Sequence, residues 1–142
     1  MPADQEYLRQ LQQMVEEKKL NDRIAFVGPV ANRGIVPLLH SANLFVNMSH
    51  TGSLDKAILE AMACGVPVLT CNEALIDVLR RYREQLMYPK KDFQALAEKM
   101  MSIMNLDISS RRELGLQLRS IVAEDHALER LIRDISAELT KS

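Results

Sequence analysis

The sequence predicts an α/β fold: a mostly parallel sheet of about four strands between two helical layers, followed by a helical C-terminal tail. Three observations carry that expectation. Short runs rich in Val, Leu and Phe alternate with stretches of helical periodicity, the signature of βαβ units. The runs are apolar throughout rather than at every second residue, so the strands are covered on both faces. From about residue 92 onward only helical periodicity remains.

The elements follow in order. Residues 4–20 set Tyr7, Leu8, Leu11, Met14 and Val15 on one stripe, with Gln and Glu opposite, as an amphipathic helix does. Arg23-Ile24-Ala25-Phe26-Val27, closed by Gly28-Pro29, reads as a first strand. Residues 35–42 fit a short helix opened by Pro37, since a first turn tolerates proline. Leu44-Phe45-Val46-Asn47-Met48 is the second strand. Ser49-His50-Thr51-Gly52-Ser53 is a small polar loop that leads into a helix from Leu54 to Cys64, stopped by Gly65 in the left-handed conformation.

Val66 to Thr70 is the third strand, with Pro67 at its tolerant start. Residues 73–83 read as helix and Gln85-Leu86-Met87-Tyr88 as the fourth strand. Asp92 caps a helix carrying Leu96, Met100, Ile103 and Met104, and the stripe of Met100, Met101 and Met104 reads as core packing. Ser109-Ser110 opens another helix with Leu114, Leu118, Ile121 and Val122 inward. A last stretch sets Leu128, Leu131, Ile132, Ile135 and Leu139 on one side. The whole describes one three-layer αβα domain of Rossmann-like type over residues 1–142, with the helical tail beginning near 92.

Composition narrows the function classes. A net charge of −1 leaves no basic excess for phosphate-backbone binding. Aromatic residues at 4%, with no Trp, argue against a base-stacking surface for single strands, so no nucleic-acid partner is expected. The pairs Lys90-Lys91 and Arg111-Arg112 read as solvated helix faces. Cys64 and Cys71, set among small and apolar residues, read as buried and reduced, and with His40, His50 and His126 scattered no metal site is expected. The polar start Met1 to Glu6 is no signal peptide, and no apolar run approaches the ~18 residues of a span. A cytoplasmic setting is expected, with a peripheral membrane role left open.

Ligands of open parallel sheets sit beyond the carboxyl ends of the strands. Three loops occupy that edge here: Gly28 to Arg33, Ser49 to Ser53, and Thr70 to Glu73. The middle loop runs straight into a helix whose free N–H groups and dipole make an anion site. Two readings stand side by side: a diphosphate cradle, or a plain helix cap in which Thr51 or Ser53 satisfies the backbone donors. Neither the G-x-G-x-x-G nor the P-loop spacing occurs. Glu60, about two turns into an otherwise apolar helix, needs either a basic partner or a wet cleft. A carboxylate so placed suits the two hydroxyls of a ribose. Asp55 complements the helix dipole but would repel a phosphate, and Lys56 would neutralise one.

The stretch Gly52-Ser53-Leu54-Asp55-Lys56-Ala57-Ile58-Leu59-Glu60-Ala61-Met62-Ala63-Cys64-Gly65-Val66-Pro67-Val68 closely resembles the donor-site signature of GT-B glycosyltransferases of family 4, the glycosyl transferases group 1. Phe26-Val27-Gly28 and Leu44-Phe45-Val46 match the same order. The resemblance implies that Glu60 holds the ribose of a nucleotide sugar, that Ser53, Leu54, Asp55, Lys56 and Ala57 meet the diphosphate and sugar, and that Val30 borders the base.

Gly52 stands where the family carries a glutamate for the transferred sugar, which leaves sugar preference open. The family's first strand, its basic clamp helix and its acceptor-binding domain have no counterpart here. The expectation is therefore a partial donor-binding domain of a retaining glycosyltransferase of hexosyl type, incomplete and inactive alone. It would contribute no catalytic residue and need no metal or other cofactor. Its partners would be a nucleotide sugar, the missing acceptor-binding domain, and other copies through an exposed sheet edge. The alternative is a non-catalytic Rossmann-like assembly module.

Overall fold

The computed structural model describes residues 2–49 and 52–125. The chain divides into two compact units, Met1–Asn32 and Arg33–Ser142.

The first unit is built on α1 (Pro2–Glu17). The helix ends in a Schellman motif: Lys19 takes φ 55°, its N–H donates to the Glu16 carbonyl at 2.9 Å, and the Leu20 N–H reaches the Val15 carbonyl at 2.9 Å. The helix thus stops a little short of its expected end. Residues 23–27, expected as a strand, form none. Their backbone has no ladder partner among the described residues, and Ile24, Phe26 and Val27 are exposed. An apolar run becomes a strand only where another strand takes its backbone groups.

The second unit opens with α2 (Asn32–Ser41), in which Pro37 lies inside the helix rather than at its first turn. Next come β1 (Phe45–Asn47), α3 (Lys56–Ala63) and β2 (Val68–Thr70), a β-helix-β sequence of strand, helix and strand. The strands pair in parallel, with Phe45 opposite Val68 and Asn47 opposite Thr70. Two strands form the sheet among the described residues, fewer than the sequence suggests. The expected fourth strand shrinks to one parallel bridge from Met87 to Thr70, because Gln85 and Leu86 are drawn into a helix. The expected helix over 73–83 is likewise broken into short turns: a 3-10 turn at Glu73–Leu75, α4 (Ile76–Leu79), a second at Arg80–Tyr82, and α5 (Arg83–Leu86). The break falls at Arg80, whose φ of 45° no regular helix accommodates.

Then α6 (Phe93–Met104) starts at Asp92, whose side chain accepts from the Ala95 N–H at 2.8 Å, the cap that the sequence implies. α7 (Ile108–Asp125) starts one step earlier than expected. Asp107, not Ser109 or Ser110, is its cap, accepting the Ser110 N–H at 2.9 Å and the Ser110 hydroxyl at 2.6 Å. These bonds hold the Asp107 carboxyl below the usual range. The run from Leu128 to Leu139 lies outside the described residues.

The core joins Ile58, Ala61 and Met62 of α3 to Val68 and Leu69 of β2, then to Leu75, Leu79, Leu86, Leu96, Ile103, Leu114 and Leu118. Leu114 and Leu118 are inward as expected. The methionine stripe is not: Met100, Met101 and Met104 are all exposed, Met101 at 64%. Leu96 and Ile103 are the buried residues of α6, and Ala95 packs half-buried against the same core.

α3 ends as the sequence implies, on Gly65 at φ 73°, with the Val66 N–H returning to the Ala61 carbonyl at 3.0 Å. There it meets α7 backbone to backbone: a Cβ added at Gly115 would lie 1.9 Å from the Gly65 carbonyl oxygen. Cys71 is buried and Cys64 half-buried, both as free thiols. No described helix is long and apolar enough to cross a membrane.

Candidate functional site

Each strand of the sheet ends on a polar residue after an apolar run, and these ends build a connected network. Asn47 closes β1. Its Nδ2 donates to Asp55 Oδ2 at 2.8 Å, and its Oδ1 accepts from the Ser49 N–H at 3.1 Å and the Thr70 hydroxyl at 3.4 Å. Thr70 closes β2, and its oxygen accepts from the Asn72 N–H at 3.0 Å. Asn72 is fully buried. Its Nδ2 donates to the Ser53 carbonyl at 2.8 Å while its Oδ1 accepts from the Ala74 N–H at 3.0 Å.

Below this layer the Tyr88 phenol donates to the Asn47 carbonyl at 3.0 Å, and the Cys71 thiol lies 3.8 Å from the Ser49 carbonyl. Burial, reinforced by the hydrogen bond with Cys71, pushes the Tyr88 phenol above its ordinary range. Among the described residues every buried side-chain nitrogen and oxygen has a partner.

The network decides the start of α3. Asp55, not Thr51 or Ser53, is the N-cap: its Oδ1 accepts from the Ala57 N–H at 3.0 Å, and its Oδ2 is taken by Asn47. The helix therefore begins at Lys56, two residues later than expected. Asp55 is turned into the protein and complements the helix dipole with its own charge, which resolves its ambiguous reading in favour of a cap. The Ile58 N–H is also engaged, by the Asp55 carbonyl at 3.2 Å. Fewer helix-start donors remain for an anion than an uncapped helix would offer.

The face of α3 opposite the core is an exposed stripe of Lys56, Glu60 and Ala63, with Ala57 beside it. Glu60 lies one turn beyond Lys56 and forms no ion pair among the described residues. Leu54 and Ser53 are exposed, and Asn72 holds the Ser53 carbonyl. Gly52 takes φ 69° with open space around the site of a Cβ. A left-handed backbone costs a side-chain-bearing residue roughly 1–2 kcal/mol, a physical reason for glycine where a glutamate stands in the resembling family. Ser53 to Ala57 and Glu60 thus share one segment and one helix. Val30, half-buried, belongs to the first unit.

A separate cleft of about 380 Å³ lies beside the end of β2, lined by Cys71, Glu73, Arg83, Tyr88, Lys90 and Lys99 among others. Lys90 pairs with Glu73 at 2.9 Å, and Lys99 donates to the Glu84 carbonyl. The third edge loop reaches it through Cys71 and Glu73, but none of the residues expected to bind the donor lines it.

Sequence reasoning missed Asn47, Thr70, Asn72 and Tyr88. A signal for the first three exists in hindsight: each is a short polar residue at the carboxyl end of an apolar run, where the strand stops being a strand.

A parallel β-helix-β unit packed between helices defines a Rossmann-like type of domain. The chain belongs to the glycosyl transferases group 1, whose family model matches residues 2–105. It is 25% identical over 138 residues to the putative colanic acid biosynthesis glycosyltransferase WcaL of Salmonella typhimurium, a match covering 92% of this chain and 34% of the relative. It is 26% identical over 121 residues to N-acetyl-alpha-D-glucosaminyl L-malate synthase of Bacillus anthracis, covering 84% of this chain and 31% of that protein.

Among solved structures, sucrose-phosphate synthase of Thermosynechococcus elongatus superposes with a TM-score of 0.79 at 27% identity, over 94% of this chain and 33% of that one. The C-terminal domain of a glycosyl transferase group 1 family protein from Francisella tularensis shares the fold, with a TM-score of 0.77 at 22% identity, over 90% of this chain and 66% of that one. The Rossmann-like GT-B architecture expected from the sequence is therefore the observed one. The chain spans about a third of the length of these two curated relatives.

Proposed function

We propose that residues 1–142 form the donor-binding part of a retaining glycosyltransferase that moves a sugar from a nucleotide diphosphate sugar to an acceptor hydroxyl. The observation that carries this reading is Glu60, an exposed carboxylate on α3 with no ion pair among the described residues, one turn from Lys56. In this reading Glu60 accepts hydrogen bonds from both ribose hydroxyls. Lys56 offsets diphosphate charge, and the backbone of Gly52, Ser53, Leu54 and Ala57 meets the phosphates and sugar. Asp55 serves as the cap that sets this segment rather than as a ligand. Acceptor binding falls to the part of the relatives' length that this chain does not span. In this reading the setting is the cytoplasm, and a peripheral membrane role of the intact enzyme stays open.

The test compares UDP, GDP and ADP with their 2′-deoxy counterparts by calorimetric titration of the chain. A hydrogen bond to a charged group contributes about 1.5–3 kcal/mol, so the ribose form should bind roughly 10-fold tighter or more. Glu60→Ala, which leaves no acceptor, should erase that preference, and Glu60→Gln, which keeps only a neutral one, should reduce it. Equal affinity for ribo and deoxy forms in the unmodified protein, or an intact preference in Glu60→Ala, would sink the reading.

A second reading, an assembly module without catalysis, is favoured by one observation: β1 pairs along one edge only among the described residues. Its occupant would be a second copy of the chain. Sedimentation showing a dimer, combined with no binding of any of the three nucleotides, would establish it in place of the first.

A further inference from the structure

We propose that Asn47 and Asn72 are positioning residues for the donor segment, holding Gly52 to Ala57 in its binding shape from the ends of the two strands. The proposal rests on the donor-site reading above and deepens it. Among the described residues no strand or helix fixes the chain between Asn47 and Lys56. Two carboxamides reach the segment from the strand ends. Asn47 grips Asp55 with its N–H and the Ser49 backbone with its oxygen. Asn72 grips the Ser53 carbonyl with its N–H and the Ala74 backbone with its oxygen. Each amide uses its donor on the segment and its acceptor on its own loop.

A carboxamide is the side chain that can do both at once. A carboxylate of the same shape keeps the acceptor and loses the donor. Asn72 is fully buried and Asn47 half-buried, so water cannot replace a lost bond cheaply. The segment's shape is thereby set by residues that touch no ligand.

The Asn47–Asp55 bond allows a test by exchange. Asn47→Asp alone sets two carboxylates against each other. Asp55→Asn alone sets two N–H groups against each other, or costs the Ser49 contact if Asn47 turns over. The double variant, Asn47→Asp with Asp55→Asn, restores one donor facing one acceptor, keeps the acceptor for the Ser49 N–H, and keeps a cap oxygen for the Ala57 N–H.

UDP, GDP and ADP affinities are measured for each variant at a temperature where circular dichroism shows all of them folded, with Glu60→Gln alongside. Each single variant should lose about 10-fold in affinity, and the double variant should recover most of it. Asn72→Asp, which loses the bond to Ser53 and turns a buried carboxylate oxygen toward that carbonyl, should lose at least as much. Several outcomes overturn the inference. If Glu60→Gln weakens binding but the single exchanges do not, or if the double variant stays as weak as the singles, Asn47 does not position the segment and the donor reading stands. If the unmodified protein binds none of the nucleotides, or Glu60→Gln changes nothing, both fall together.

Discussion

Replacing Gly115 by alanine tests the closest contact in the fold. The new methyl would sit 1.9 Å from the Gly65 carbonyl oxygen and 2.8 Å from its carbon, where ordinary contact begins at 3.4 Å. The obstacle is backbone, so no side-chain rotation relieves it. α7 must retreat by roughly 1.5 Å at this point, and Leu114 and Leu118 withdraw with it from the core. Overpacking of this kind costs about 1–3 kcal/mol or more. Alanine in place of glycine inside a helix returns about 1 kcal/mol. Because the obstacle is backbone at 1.9 Å, the cost lies at the upper end, and the net expectation is a loss of about 2 kcal/mol, or roughly 6–10 °C in Tm for a chain of this size.

Thermal unfolding followed by circular dichroism reads it directly. The sign decides the matter, because helix propensity alone would raise the Tm. A Tm equal to or above that of the unmodified protein would refute the backbone contact between α3 and α7. Gly65→Ala gives a useful contrast. Its methyl would find neighbours only at 3.9 Å, so any loss there comes from the φ of 73° and not from crowding.

Further expectations concern the helix surfaces and caps. Asp107 titrates below its ordinary range in the folded protein because Ser110 bonds its ionised form. A carboxyl whose folded pKa is depressed stabilises the fold above its unfolded pKa of about 4 and loses that contribution as pH falls through the folded value. The Tm gap between the unmodified protein and Asp107→Ala should accordingly be widest near neutral pH and narrow steadily in acid; a gap independent of pH would remove the capping role. Met101→Lys should leave the Tm within about 2 °C, since surface changes shift stability by about ±0.5 kcal/mol. A drop of the size seen for buried methionines, roughly 2–5 kcal/mol, would mean that α6 buries this face after all.

The fold was legible where local chemistry and packing agreed. Gly65 ends α3 because a left-handed residue was needed and glycine stood there; Asp92 caps α6 because its oxygen had one donor to find. The site helix was legible for the same reason, down to the lone carboxylate at Glu60. Legibility failed where a partner decided the outcome. Residues 23–27 have a strand's composition, but no neighbouring strand pairs with them among the described residues.

The methionines of α6 have a core helix's spacing, but they stay exposed while Leu96 and Ile103 are buried. Asp55 and Asp107 displaced the serines and threonines expected as caps, because a carboxylate with two free oxygens can serve a helix and a second donor together. Asn47 and Asn72 carried no periodic signal at all. Their roles exist only once two strands lie side by side.

The phenol of Tyr88 spans the sheet rather than running along it. It reaches past β2 to the last carbonyl of β1, at the outer position where backbone pairing has dwindled to a bridge. A slip of that outer stretch by one residue would turn the ring to the opposite face and strand the Asn47 carbonyl without its donor. An unmet buried polar group costs about 1–3 kcal/mol, comparable to the few backbone bonds available to resist the slip. A single crossbar thus fixes the alignment of an edge too short to align itself.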